Sequence, residues 1–254
     1  MSKLIEPLAR PLAWLLALFF EFTHSYGFSV ILLTLAAMVI VTPLTIKSTR
    51  SMMAMQKFQP EIRRLQAEFK GDERVGYFSV RQNDFGSEEL LAFYRENNIN
   101  PMGSCLPLLV QAPVFIGLYQ AIQGITRHGP DQTFLPKWVD ETSELYRSLV
   151  GKTQMLFAGI DLSRSAANTL KVSFVEALPY LFIIAIATAT SYVQQRQVAG
   201  RNPELTMNQT QKTLMRIMPL TMAVFSFTLP AALGIYLATQ NVFRVGQQWY
   251  IGRA

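Results

Sequence analysis

Four stretches of this chain, residues 22–46, 97–126, 177–195 and 217–243, contain no Asp, Glu, Lys or Arg, and run for 25, 30, 19 and 27 residues. A helix needs about 20 apolar residues to cross a hydrocarbon layer roughly 30 Å thick, so each run can supply a membrane span. A soluble protein would have to bury four such runs in one core, which 254 residues cannot readily enclose. The chain therefore reads as an all-α polytopic membrane protein. With 50% hydrophobic residues and 16% charged ones, disorder is excluded. One cysteine forms no internal disulfide, two histidines offer little for a metal cluster, and there is no Gly-rich phosphate loop, so no cofactor or metal is expected.

Residues 1–26 hold only a short uncharged run, Pro11 to Phe20, between Arg10 and Glu21. Trp14, Phe19 and Phe20 beside charged residues suit an amphipathic helix in the headgroup zone, rather than a span or a cleaved leader. Span one is expected over 27–46, ending against Pro43, Lys47 and Arg50. Residues 47–100 read as a soluble helical hairpin. Met55, Phe58, Ile62, Leu65 and Phe69 form one seam at helical spacing. Ser87, Glu88 and Glu89 start a second helix, and a Gly/Asn/Asp-rich tip lies at about 72–86. Span two occupies 104–125, a polar loop 126–175, span three 177–195 and a second basic loop 196–212. The last uncharged run is split by Pro230 into spans 213–229 and 231–250, because a straight helix does not pass such a position easily. Arg216 and Arg244 then each stand about 21 Å along a helix from the turn, free to snorkel toward one membrane face.

Cations set the orientation. Lys47, Arg50, Lys57, Arg63 and Arg64 crowd the start of the arm with one acid, Glu61, and the 196–216 segment carries four cations against Glu204. The 126–175 loop is nearly balanced. By the positive-inside rule the arm and the 196–212 loop face the cytoplasm, giving an N-out, C-in chain of five spans. The basic pI near 9.5 follows from that topology, so sequence-specific nucleic-acid binding is not invoked.

Catalysis is not expected, because His24, His128 and Cys105 make no nucleophile–base pair and no acidic residue lies within the spans. Polar residues, uncharged apart from Arg244, do recur there. Thr188, Ser191 and Gln195 share one helical face, Gln240, Arg244 and Gln247 share another, and Thr34 and Gln111 sit in the first two spans. Such groups avoid lipid tails, so they hydrogen-bond between helices or line a wet groove open to the cytoplasm.

Several fragments are familiar in their order. Tyr26-Gly27-Phe28-Ser29, Leu33-Thr34 and Pro43-Leu44-Thr45 flank span one, and Gln59-Pro60-Glu61-Ile62 lies in the arm. Asn100-Pro101-Met102-Gly103-Ser104-Cys105-Leu106-Pro107-Leu108-Leu109 leads into Gln111 and Pro113, and Met218-Pro219, Leu229-Pro230, Gly234-Ile235-Tyr236, Asn241 and Gln247-Gln248 close the chain. In these residues the chain resembles the YidC/Oxa/Alb family of membrane protein insertases. The resemblance implies a five-helix transmembrane insertase core with a cytoplasmic helical hairpin, in a bacterial inner membrane. Its groove would open to cytoplasm and lipid and pass newly made membrane proteins into the bilayer, alone or with the Sec translocon. The groove residues implied are Thr34, Met38, Gln111, Thr188, Ser191, Gln195, Gln240, Asn241 and Arg244. Lys57, Arg63 and Arg64 of the arm would meet a ribosome, the signal recognition particle receptor or substrate. The family usually carries an arginine where this chain has Met38. Arg244 is then the expected source of positive charge. An assembly chaperone of the same fold, or a solute channel, are the competing expectations. With no long basic tail in these 254 residues, tethering to a ribosome by that device is not expected.

Overall fold

The structure, a computed structural model, describes residues 2–58, 61, 92, 95–96, 106–199 and 209–251. Two compact units divide the chain: residues 1–41, 111–201 and 207–254 make the first, and residues 42–110 with 202–206 the second.

In the first unit, α1 (Ser2–Thr23) buries Ala9, Ala13, Leu16, Ala17 and Phe20, a seam at helical spacing, and leaves Leu8, Trp14 and Phe22 exposed. The chain turns at His24, which adopts a positive φ of 48°. Thr23 Oγ1 donates to the Phe19 carbonyl, Ser29 Oγ donates to the Ser25 carbonyl, and the Phe20 and Tyr26 rings stack with centroids 4.8 Å apart.

Helix α2 (Tyr26–Lys57) differs from the expected span. It continues past Pro43 and Lys47 without a break, so the span and the start of the arm are one helix. An interior proline forfeits one backbone bond but does not by itself end a helix of this length. Its apolar stretch, Tyr26–Thr49, is long enough to cross a membrane. Helix α3 (Leu106–Ile125) follows, with a shorter apolar stretch from Leu109.

The 126–175 segment is folded, which its polar sequence did not reveal. Helix α4 (Glu144–Leu149) is N-capped by Ser143, whose side chain accepts from the Tyr146 N–H. Strands β1 (Leu156–Phe157) and β2 (Ile160–Asp161) pair antiparallel across Ala158 and Gly159, both with positive φ, as a two-residue hairpin turn of the primed kind requires. The apolar stretch 154–160, too short to span, is thus a hairpin. Helix α5 (Ala166–Leu170), capped by Ser165, leads to α6 (Phe174–Ala199), which holds the second span-length apolar stretch. Phe134, Leu145, Leu149, Met155, Leu162 and Ala166 of this segment join Leu16, Leu118, Ile122 and Leu233 in one buried core.

Helices α7 (Gln209–Thr228) and α8 (Ala231–Ile251) flank Leu229-Pro230. The loop holds that turn: the Ala231 N–H donates to the Arg164 carbonyl at 2.8 Å and the Ala232 N–H to the Leu162 carbonyl at 3.1 Å. Two otherwise orphaned donors of the α8 N-terminus are thereby satisfied. Asp161 organises this loop, its Oδ1 accepting from the Met155 N–H, the Ser163 N–H and Ser163 Oγ, while Tyr180 Oη of α6 donates to its carbonyl. Helix α8 packs mainly on α6, and α6 also packs on α7.

In the second unit the described residues are the C-terminal part of α2, the first residues of α3 and isolated arm positions. Arg63, Arg64 and the tip at 72–86 lie outside the described residues, as do Cys105 and the side chain of Lys57, the last residue of α2.

Candidate functional site

The polar face of α8 carries Tyr236, Gln240, Arg244 and Gln247, at intervals that keep them on one side of a helix. Gln111 of α3 joins two of them. Its Nε2 donates to Tyr236 Oη, and its Oε1 accepts from Arg244 Nη2 at 3.0 Å. One neutral amide thus bridges a phenol and a guanidinium two turns apart. Tyr236 is buried, and its ring lies 6.1 Å from that of Phe115, which in turn lies 6.3 Å from Phe225 of α7. Arg244 is only partly buried, and none of the ion pairs among the described residues involves it. A guanidinium has five donors, so one bond to an amide leaves it able to attract carboxylates or carbonyls.

Beside it, Gln240 is buried and its Oε1 has no hydrogen-bond partner, and the Nε2 of Gln247, two turns along, is also buried without one. Leaving such atoms unpaired costs about 1–3 kcal/mol each, so an acceptor and a donor here have hydrogen-bonding capacity that the described residues leave unmet.

The other expected groove residues are not all brought to this cluster. Thr34 is buried, and its hydroxyl donates to the Val30 carbonyl of its own helix at 2.6 Å. Thr188 does the same to Ile184 at 2.7 Å. Met38 is buried, while Ser191 and Gln195 are partly so. Asn241 reaches α6, where its Nδ2 donates to the Ala187 carbonyl at 3.0 Å and to Thr190 Oγ1 at 3.4 Å. Asn241 is therefore an interhelical tie. Sequence spacing had overlooked Tyr236 and Thr190. Tyr236 could have been found, since it stands one turn before Gln240 on the same stripe. Among the described residues no three His, Cys, Asp or Glu side chains converge to hold a metal ion.

A mostly helical architecture, with two helices long and apolar enough to cross a membrane and a polar cluster tying α3 to α8, is that of a helical membrane protein. A sequence profile of the family described as 60Kd inner membrane protein matches residues 18–254, and the chain belongs to that family, the YidC/Oxa/Alb insertases. Among curated relatives, the membrane protein insertase YidC of Syntrophobacter fumaroxidans is 30% identical over 248 residues, covering 97% of this chain and 38% of the relative. That of Nitratidesulfovibrio vulgaris is 31% identical over 248 residues, with the same two coverages, 97% and 38%. The Streptomyces avermitilis insertase is 28% identical over 242 residues, covering 90% of this chain and 51% of the relative. The chain thus spans between about two fifths and one half of the length of these relatives. A crystal structure described as active YidC insertase with the first transmembrane domain resolved aligns with a TM-score of 0.55 at 21% identity. The alignment covers 98% of this chain and 46% of that one, a likeness of fold.

Proposed function

We propose that this chain is a membrane protein insertase core. It receives hydrophobic segments of newly made membrane proteins, lets their short polar tails pause on the α8 polar face, and releases the segments sideways into lipid. Five spans, α2, α3, α6, α7 and α8, cross the bilayer N-out and C-in, with α1 lying in the headgroup zone. Helices of 20 and 21 residues, as α7 and α8 are, reach about 30 Å, which supports that count. Burial of the incoming apolar helix drives the step, and a hydrated recess shortens the hydrocarbon that a polar tail must cross. No covalent chemistry is required. The Sec translocon, a ribosome or the signal recognition particle receptor would meet the arm through Lys57, Arg63 and Arg64.

The observation that carries this reading is the Arg244–Gln111–Tyr236 bridge. A cation held by a neutral amide beside unpaired Gln240 and Gln247 atoms supplies the charge that Met38 does not. Purified chain in liposomes should insert a one-span substrate with an acidic tail. Arg244→Gln should slow it by about fivefold, the worth of roughly 1 kcal/mol, while a neutral-tailed substrate is spared. If insertion is unchanged by Arg244→Gln but improved by Met38→Arg, Arg244 is not the compensating charge. Met38 also favours a second reading, an assembly chaperone of the same fold. Prevention of substrate aggregation without any insertion would select it.

A further inference from the structure

We propose that α1 and the loop after α3 form a binding site for the headgroup of a zwitterionic aminophospholipid, of the phosphoethanolamine class. A cavity of about 620 Å³ lies between them, lined by Arg10, Trp14, Lys137, Trp138 and Asp140 among others. Three of its lining residues, Arg10, Lys137 and Trp138, are tied together by Glu6. The Oε1 of Glu6 accepts from Trp138 Nε1 at 3.1 Å and pairs with Arg10 Nη2 at 3.2 Å and with Lys137 Nζ at 3.9 Å. The Lys137 ammonium also lies 4.9 Å from the centroid of the Trp138 ring. One carboxylate oxygen shared by an indole and two cations leaves positive charge uncompensated on the cavity side, where both cations remain about half exposed or more. Asp140 supplies the opposite sign. Its Oδ1 accepts from the Thr142 N–H at 2.8 Å and Thr142 Oγ1 at 2.7 Å, which fixes the carboxylate in place.

A cavity that offers two cations for a phosphate and a carboxylate for a primary ammonium matches both ends of a zwitterion. A phosphoglycerol headgroup could offer Asp140 only neutral hydroxyls and no counter-charge. Trp14, which lines the cavity and is 60% exposed, gives the glycerol and the first acyl carbons an amphipathic ledge. The occupant is thus a lipid of the leaflet on which α1 lies, and its headgroup would fasten α1 to the loop. The site depends on the interfacial placement of α1 proposed above and is independent of insertion itself.

The test uses the whole chain in nanodiscs of equimolar phosphatidylethanolamine and phosphatidylglycerol, with bound lipids counted by native mass spectrometry. Phosphatidylethanolamine should be retained in preference. Arg10→Gln combined with Lys137→Gln should lower its retention by about fivefold. Asp140→Asn, which keeps the acceptor for Thr142 and removes only the charge, should turn the preference toward phosphatidylglycerol. Absence of preference in the unaltered chain, or a preference that Asp140→Asn leaves in place, overturns the site. Binding of free phosphoethanolamine or inorganic phosphate to delipidated chain as tightly as the lipid would overturn the lipid as its source. Quenching of Trp14 by lipids brominated on their acyl chains tests the placement of α1 separately. Quenching without headgroup preference sinks the site alone, and no quenching sinks the placement on which it rests.

Discussion

At the scale of single residues, Gln111 and Glu6 do the same job in different surroundings: each is a small polar hub shared by several partners. Removing the hub strands those partners. Gln111→Leu leaves the Arg244 guanidinium and the buried Tyr236 hydroxyl without their bonds, and should destabilise the fold by about 1–3 kcal/mol, more than the ~0.6 kcal/mol of an average bond between membrane helices. Arg244→Met made in the Gln111→Leu background should cost less than it does alone. A double-variant cycle by denaturant titration in mild detergent reads that coupling, and strict additivity would mean the bridge is not formed. Glu6 is a partly exposed hub. The Trp138 indole N–H, then the charge and hydrogen bond of Arg10 and the charge of Lys137, hold its carboxyl below the usual glutamate range. A carboxyl lowered on folding contributes fully above its unfolded value and loses that contribution as the pH falls through the lowered folded one. Docking of α1 on the loop should therefore be flat near neutral pH and loosen only below the ordinary glutamate pKa. With Trp14 and Trp249 replaced by Phe, Trp138 emission should report that acid transition, and Glu6→Gln should abolish it. A transition centred above pH 5 would be the wrong sign for a lowered group.

Helices pack as closely as their smallest contact residues allow. On α8, a Cβ added to Gly234 would stand 2.8 Å from Ile183 Cγ2 of α6, so this glycine is what admits the α6 side chain. Gly234→Val should cost about 1–3 kcal/mol by overpacking, and Ile183→Ala should recover part of it. Unfolding midpoints of the two single variants and the pair would show it, and an unrecovered loss would place the fault elsewhere on α8. The helices themselves were legible in the sequence, because charge-free length is a property of composition and Pro230 is a local signal; α7 ends at Thr228 and α8 begins at Ala231. Pro43 penalises a helix without deciding its end, and α2 runs on past the expected span to Lys57. The 126–175 segment was illegible for a different reason. Its elements are two to six residues long, too short for a periodic pattern to show, and the segment is tied down by bonds to residues far along the chain, from Ala231 and Ala232 to the Arg164 and Leu162 carbonyls. Tyr236 was hidden the same way, its role set by an amide 125 residues away.

Across the first unit as a whole, polarity changes along α8. From Ala231 to Tyr236 every residue is buried, and the turn before it is bonded to the loop at Leu162 and Arg164. From Gln240 onward the same face carries amides and Arg244, including the unpaired Oε1 of Gln240 and Nε2 of Gln247. One end of this helix is thus dry and tied down, whereas the other presents hydrogen-bonding capacity that the protein itself does not use. That asymmetry fits the one-sided recess of the proposed function, in which a polar tail would enter to the depth of Gln240 and meet the buried stretch Ala231–Tyr236 as a floor. Cysteines introduced singly as Leu233→Cys, Gln240→Cys and Gln247→Cys, after Cys105→Ser removes the native thiol, measure it directly. In inverted vesicles a membrane-impermeant maleimide should modify the 247 position readily and the 240 position more slowly, and leave the 233 position unreacted. In right-side-out vesicles all three should be protected. Labelling at 233 would mean that the floor leaks, and protection at both 240 and 247 in either orientation would mean that the amides are packed dry and no recess exists.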